Sequence, residues 1–275
     1  MSEEFYRIKR LPPYIFAEVN RLKADYRTQG IDIIDFGMGN PDMDTPNHIV
    51  DKLVETIKKP RTHRYSSSKG IYGLRKAQAL YYEKRFGVAL DPDNEVIATL
   101  GSKEGLANLA MAITAPGDVM LVPNPSYPIH PYGFMIAGGT LRHLPTLHNG
   151  IFDPEEYMKS LARAVSHSVP KPVAVVVSFP SNPTAQLCKL SFYEELVDFA
   201  RKNELWLLSD LAYAEIYFDD KPPPSILQVD GAKQVAVEFT SLSKTFSMPG
   251  WRMGFAVGNQ RLVGALTRIK SYLDY

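Results

Sequence analysis

The sequence predicts an α/β fold: a three-layer domain around a mainly parallel, seven-stranded sheet. Three observations lead there. Seven short β-rich runs are interleaved with segments of helical period over about residues 50–275. One run, VAVVVSF at 173–179, is apolar almost throughout, the habit of a central strand covered by helices on both faces. Finally, the residues able to do chemistry fall directly after the runs, where the carboxyl ends of such a sheet gather ligands.

Taken in order, Pro13 to Gln29 fits a helix, with Pro near its start, Ile15, Phe16, Val19 and Leu22 on one face, and Gly30 as a stop. Residues 31–36, IDIIDF, read as a short strand, and GMGNPDMDTP then breaks regular structure. Helices fit 48–58, 73–86, 103–114, 154–165 and 191–202. Asp153-Pro154-Glu155-Glu156 supplies a cap, a first-turn proline and an acidic third position, while Ser191 and Glu194 have the spacing of a capping box. The strands are VIATL (96–100), VMLV (119–122), LRHLP (141–145), VAVVVSF (173–179), LWLLS (205–209), VAVEFT (235–240) and RMGFAV (252–257). PPPS at 222–225 reads as a surface loop.

Composition narrows the function classes. A chain of 275 residues, 45% of them apolar, can bury a large core. Its 31 basic and 30 acidic residues leave a net charge of +1, which gives no footprint for nucleic acid or an anionic membrane. The six histidines are scattered, with no HExxH and no Cys/His cluster, so no metal is expected. Cys188 is the only cysteine, which suits a reducing compartment. The opening MSEEFYRIKR lacks the apolar stretch of a secretory signal, and no apolar run approaches the roughly 20 residues of a membrane helix. The expectation is a soluble cytoplasmic protein.

The residues that follow the strands form a chemically coherent set. Gly101-Ser102-Lys103 opens a helix after the first strand, and Tyr127 follows the second. Asn182 follows VAVVVSF, Asp210 and Tyr213 follow LWLLS, and Ser241, Ser243 and Lys244 follow VAVEFT. Free N–H groups at a helix N-terminus hold phosphate, and Arg252 adds a charge-assisted contact. Tyr127 offers a flat face, Asp210 a partner for a protonated ring nitrogen, and Lys244 an amine for a Schiff base. A small anionic, aromatic aldehyde uses all of them: pyridoxal 5'-phosphate (PLP).

Each residue has a plainer reading too. Asp210 can cap a helix, Asn182 can serve its own turn, Tyr127 can be a packed core residue, and Lys103 can face solvent. GMGNPD begins like a dinucleotide fingerprint, but Asp42 replaces the last glycine and Pro41 prevents a helix from opening there.

The stretches IDFGMGNPD, YSSSKGIYGLR, GSKEGLANLA, VPNPSYPIHPYG, FPSNPTAQ, SDLAYAEI and TSLSKTFSMPGWRMGF, in this order, resemble the class I/II aminotransferases of PLP fold type I. The likeness is greatest to the bacterial alanine (glutamate–pyruvate) transaminases. It implies a fold type I large PLP-binding domain at 48–275, with residues 1–47 as an N-terminal arm and part of a small domain. It also implies ping-pong transfer of an amino group between an alanine- or glutamate-type amino acid and a 2-oxo acid, through an internal aldimine on Lys244. Lys244 would then shuttle a proton, Asp210 would hold the ring nitrogen protonated, and Asn182 and Tyr213 would bond the cofactor's phenolic oxygen. Ser102, Lys103, Ser241, Ser243 and Arg252 would hold the phosphate, and Tyr127 would stack on the ring. Gly39 would contact substrate carboxylate through its backbone, and Asn182 would also bind substrate. Tyr65 would reach the phosphate of a neighbouring subunit, which makes the expected assembly a homodimer with shared sites.

Family members carry a further C-terminal small domain whose arginine grips the substrate's α-carboxylate. Nothing here matches that arginine, and the sequence stops at RIKSYLDY within what reads as a long connecting helix. The expectation is that this chain alone binds PLP more readily than it turns over. The same cofactor residues also suit a β-lyase, a decarboxylase or a PLP-binding module without catalysis.

Overall fold

The strand order β1-β7-β6-β5-β4-β2-β3 defines a single seven-stranded sheet. Its members are β1 (Val96–Thr99), β2 (Val119–Asn124), β3 (Thr140–Pro145), β4 (Ala174–Ser178), β5 (Trp206–Asp210), β6 (Ala236–Ser241) and β7 (Gly254–Gly258). The computed structural model describes residues 5–37 and 39–274. All pairings are parallel except those of β7, which runs antiparallel to both β1 and β6. The mainly parallel α/β sheet expected from the sequence is therefore present, and all seven strands lie on the runs that announced them.

The chain divides into two units, residues 1–42 and 43–275. The first holds α1 (Tyr6–Lys9) and α2 (Ile15–Thr28). No strand forms at 31–36, contrary to the expectation. Asp35 turns its carboxylate onto Gly37 N at 2.9 Å and takes Lys23 Nζ at 2.7 Å. That local turn competes with an extended ladder, and Ile34 and Phe36 remain exposed.

The second unit holds α3 (Asn47–Ile57), α4 (Tyr72–Phe86), α5 (Ser102–Ile113), α6 (Ile129–Ala137), α7 (Pro154–Ser166), α8 (Leu190–Lys202), α9 (Leu242–Thr245) and α10 (Gln260–Leu273). Period-two alternation along the strands sorts the helices into two layers. Val175, Val177 and Leu207 pack with Tyr82 of α4, Leu161 of α7 and Leu196 of α8. Ala174, Val176 and Leu208 pack on the opposite face with Leu106 of α5, Phe134 of α6 and Leu266 of α10. Every residue of β4 is buried, as its apolar run requires.

Local signals mostly held. Asp153 accepts from Glu156 N at 3.1 Å and Pro154 opens α7. The capping box at Ser191 does not form: α8 starts at Leu190 with Lys189 as its cap, so Ser191 already lies inside the first turn. PPPS is not a plain surface loop, because Ser225 is fully buried and bonds Glu238. Helix α6 went unread because IHPYGF carries a proline, yet Pro131 sits in the first turn, where its missing N–H costs nothing. No helix among the described residues is long and apolar enough to cross a membrane, and among them no His/Cys/Asp/Glu group could hold a metal ion.

Candidate active site

Because β7 is antiparallel to both neighbours, β1 points the same way as β6 and the parallel strands beyond it. The carboxyl ends of six strands and the amino end of β7 therefore share one rim. Register fixes what meets there: Thr99 pairs with Gly254, Gly254 with Ser241, Phe239 with Asp210, and Asp210 with Ser178.

One end of this rim is a cluster of donors. Gly101 caps α5 at φ 85°, leaving the first-turn N–H groups of Ser102 and its neighbours without intrahelical acceptors. A Cβ on Gly101 would stand 2.7 Å from Arg252 Nη2, and one on Gly254 would stand 2.9 Å from Ser102 N. Both positions thus need glycine for close approach. Arg252 is held by Pro249 O at 2.8 Å and Leu100 O at 3.2 Å. Ser241 Oγ accepts from Ser243 N at 3.2 Å, capping the short α9 that carries Lys244. Ser243 is buried, and Lys103 turns to the exposed side of α5.

Lys244 is half-buried, and burial first, then the positive charge of Arg252, lowers its pKa below that of an ordinary lysine. Both influences disfavour the ammonium, so the reactive neutral amine is more abundant near neutral pH. Arg252→Met is expected to move the pH midpoint for acylation of Lys244 upward, and Arg252→Lys to leave it close to wild type. Peptide-resolved labelling across a pH series checks this; a midpoint unchanged in Arg252→Met would contradict it.

At the other end Asp210 closes β5. Its Oδ2 lies 2.9 Å from His130 Nε2, and its Oδ1 accepts from Ala212 N at 3.2 Å. An ionised carboxylate only accepts, so Nε2 carries the hydrogen. The pair is buried, with His130 side-chain exposure at 0% and Asp210 at 7%. Tyr127, half-buried, sets its ring edge-on to His130 with centroids 6.0 Å apart. Asn182 Nδ2 donates to Tyr213 Oη at 3.1 Å. Burial raises the Tyr213 pKa, Asn182 opposes the rise and the charge of Asp210 adds to it, so the phenol keeps its proton to donate.

The structure thus brings Ser102, Ser241, Ser243, Lys244 and Arg252 to one end, and Tyr127, Asn182, Asp210 and Tyr213 to the other. Tyr65 is 85% exposed. Gly39 lies in the first unit. His130 escaped the sequence reading, because a histidine between an isoleucine and a proline carries no local mark of a partner 80 residues away.

The fold is that of the fold type I aminotransferases, a mainly parallel α/β sheet, and here one rim carries a half-buried lysine, a buried carboxylate and a glycine-lined helix N-terminus. The sequence pattern of aminotransferase class I and II matches residues 31–273, and the chain belongs to that family. A putative aminotransferase, AatC, of Rhizobium meliloti (strain 1021) is 64% identical over 99% of this chain and 66% of its own length. Glutamate-pyruvate aminotransferase AlaC of Escherichia coli (strain K12) is 52% identical over 100% of this chain and 65% of its own. Among solved structures, the aspartate aminotransferase from Thermus thermophilus with maleate superposes with TM-score 0.87 at 29% identity, covering 99% of this chain and 69% of that one. The chain spans about two thirds of the length of the first two relatives.

Proposed function

We propose that this protein binds PLP along the rim and transfers amino groups between an alanine- or glutamate-type amino acid and a 2-oxo acid. The observation that carries the reading is Lys244, an amine whose charge is disfavoured by burial and by Arg252, on the same rim as the buried His130–Asp210 pair. The donor set fits the cofactor. N–H groups, hydroxyls and a guanidinium meet at the α5 end, where the two glycines keep the backbone free of a Cβ, as a phosphate dianion demands.

When bound, PLP supplies an aldehyde that condenses with amines and a ring that withdraws electrons from the carbon beside the nitrogen. The residues do the rest. Asp210 would accept a hydrogen bond from a protonated ring nitrogen, and His130 Nε2 holds that carboxylate in orientation. Tyr213 donates its phenolic hydrogen to the ring oxygen, with Asn182 holding it in place. Tyr127 offers a stacking face and limits water. Lys244 Nζ, once neutral, would carry the proton between the substrate's α-carbon and the carbon of the cofactor's former aldehyde, on the far side of the shared nitrogen. Ser102, Ser241, Ser243 and Arg252 hold the phosphate, with Lys103 contributing its backbone.

The likeness to AlaC, named a glutamate-pyruvate aminotransferase, supports the substrate choice. The reading also gives Gly39 to the substrate carboxylate and places the protein in the cytoplasm as a homodimer, where the exposed Tyr65 serves the site of a second copy. Feeding alanine and 2-oxoglutarate and measuring pyruvate and glutamate tests the activity. Equal release of both products supports it. A protein that retains PLP but leaves alanine untouched refutes the transfer and spares the binding; one that retains no PLP refutes both.

A further inference from the structure

The α5 N-terminus contains an apparent contradiction. Its third residue, Glu104, is a carboxylate in the same first turn that the proposed function gives to a phosphate dianion. An acid there steadies the helix dipole, but its full negative charge opposes a second anion at the same end. Glu104 also has a structural task. Its Oε2 accepts from Leu100 N at 2.8 Å, and its Oε1 takes Asn108 Nδ2. Leu100 in turn offers its carbonyl to Arg252 Nη2 at 3.2 Å. The carboxylate thus braces the turn that presents Gly101 and Arg252.

What answers the charge comes from the far end of the chain. Lys270 on α10 places Nζ 2.9 Å from Glu104 Oε1, with only 3% of its side chain exposed. Asp274 also binds this ammonium. A lysine this buried is uncommon and is kept by its partners. Neither it nor Glu104 belongs to the set that would touch the cofactor.

We propose that Lys270 is a positioning residue for the phosphate end: it offsets the charge of Glu104, so that Glu104 can brace the 100–101 turn without repelling a phosphate. The inference rests on the PLP reading above and adds a residue that acts through another. It also ties α10 to the cofactor end of the sheet, because any shift of α10 that separates Lys270 from Glu104 leaves a bare carboxylate beside the phosphate.

The test compares ligands with and without the phosphate. Equilibrium dialysis of the cofactor-free chain gives the affinity for PLP and for pyridoxal, and their ratio is the phosphate preference. Lys270→Met is expected to cut that ratio on the order of tenfold while the affinity for pyridoxal stays near wild type. Lys270→Arg, which keeps the charge, is expected to preserve the ratio. Glu104→Gln keeps an acceptor for Leu100 N and leaves Lys270 to Asp274, and it is expected to raise the ratio a few-fold. Glu104→Gln decides the matter even if Lys270→Met does not fold. A Lys270→Met protein that loses both ligands alike, or neither, overturns the proposal, as does a Glu104→Gln protein whose ratio falls or stays level. Wild-type protein that binds neither ligand would instead overturn the PLP reading on which the proposal stands.

Discussion

Lys244→Ala is expected to lower amino transfer by on the order of 10⁴-fold or more, the upper end of what a positioned acid–base group supplies, compounded by loss of the covalent anchor. The fold should survive. Lys244 sits on the four-residue α9, whose cap is the Ser241 hydroxyl, and alanine suits that helix. Removing a half-buried ammonium whose charge is already disfavoured relieves a cost of burial. Lys244→Arg separates charge from chemistry. A guanidinium cannot lose its proton, so it offers neither a nucleophile nor a base, and it should fail as completely as alanine. Turnover in Lys244→Arg near the wild-type rate would contradict the role given to this amine. Initial rates at saturating amino acid, beside a thermal melt to establish folding, make the comparison.

Glu238→Ala is expected to be the most destabilising single change in the sheet, by about 4 kcal/mol, or roughly 10 °C in melting temperature. Glu238 lies fully buried on β6. Its carboxylate accepts from Tyr82 Oη at 2.9 Å, Ser209 Oγ at 2.9 Å, Ser225 Oγ at 2.5 Å and Ile226 N at 3.1 Å. Alanine would leave these donors buried without an acceptor and open a cavity beside them. Glu238→Gln should lose less, about 1–2 kcal/mol, because its amide oxygen can still accept from Ile226 N and the Tyr82 and Ser225 hydroxyls can turn to accept from its NH2, leaving only weaker, uncharged bonds. Burial, the largest influence, raises the Glu238 pKa, and its donors lower it less. A carboxyl raised on folding contributes stability that is present below the unfolded value and is lost as pH rises through the folded one. Glu238→Gln should remove that dependence. Chemical melts of both variants at mildly acidic and neutral pH read the effect, and a Glu238→Ala protein as stable as wild type would contradict it.

How far the molecule could be read in advance depended on the range of the forces involved. The strands were legible because burial on two faces leaves an apolar run that needs no partner to be recognised, as in β4. The rim followed from them, since a parallel sheet brings the residues after its strands to one side. The stretch at 31–36 misled because its isoleucines and phenylalanine suit a strand, but Asp35 commits its carboxylate to a local turn. What escaped were side chains defined by distant partners. His130 is 80 residues from Asp210, Glu238 is 156 from Tyr82, and Lys270 is 166 from Glu104. Each looks locally like an ordinary polar residue, and only the register of the sheet and the packing of the helices give it a partner.

Borohydride reduction of the protein incubated with PLP, followed by peptide mapping, tests the central claim most directly. The expected result is a single pyridoxyl label on Lys244, absent from Lys244→Ala. A label spread over surface lysines, or one on Lys103 or Lys270 with Lys244 unmodified, would contradict the account.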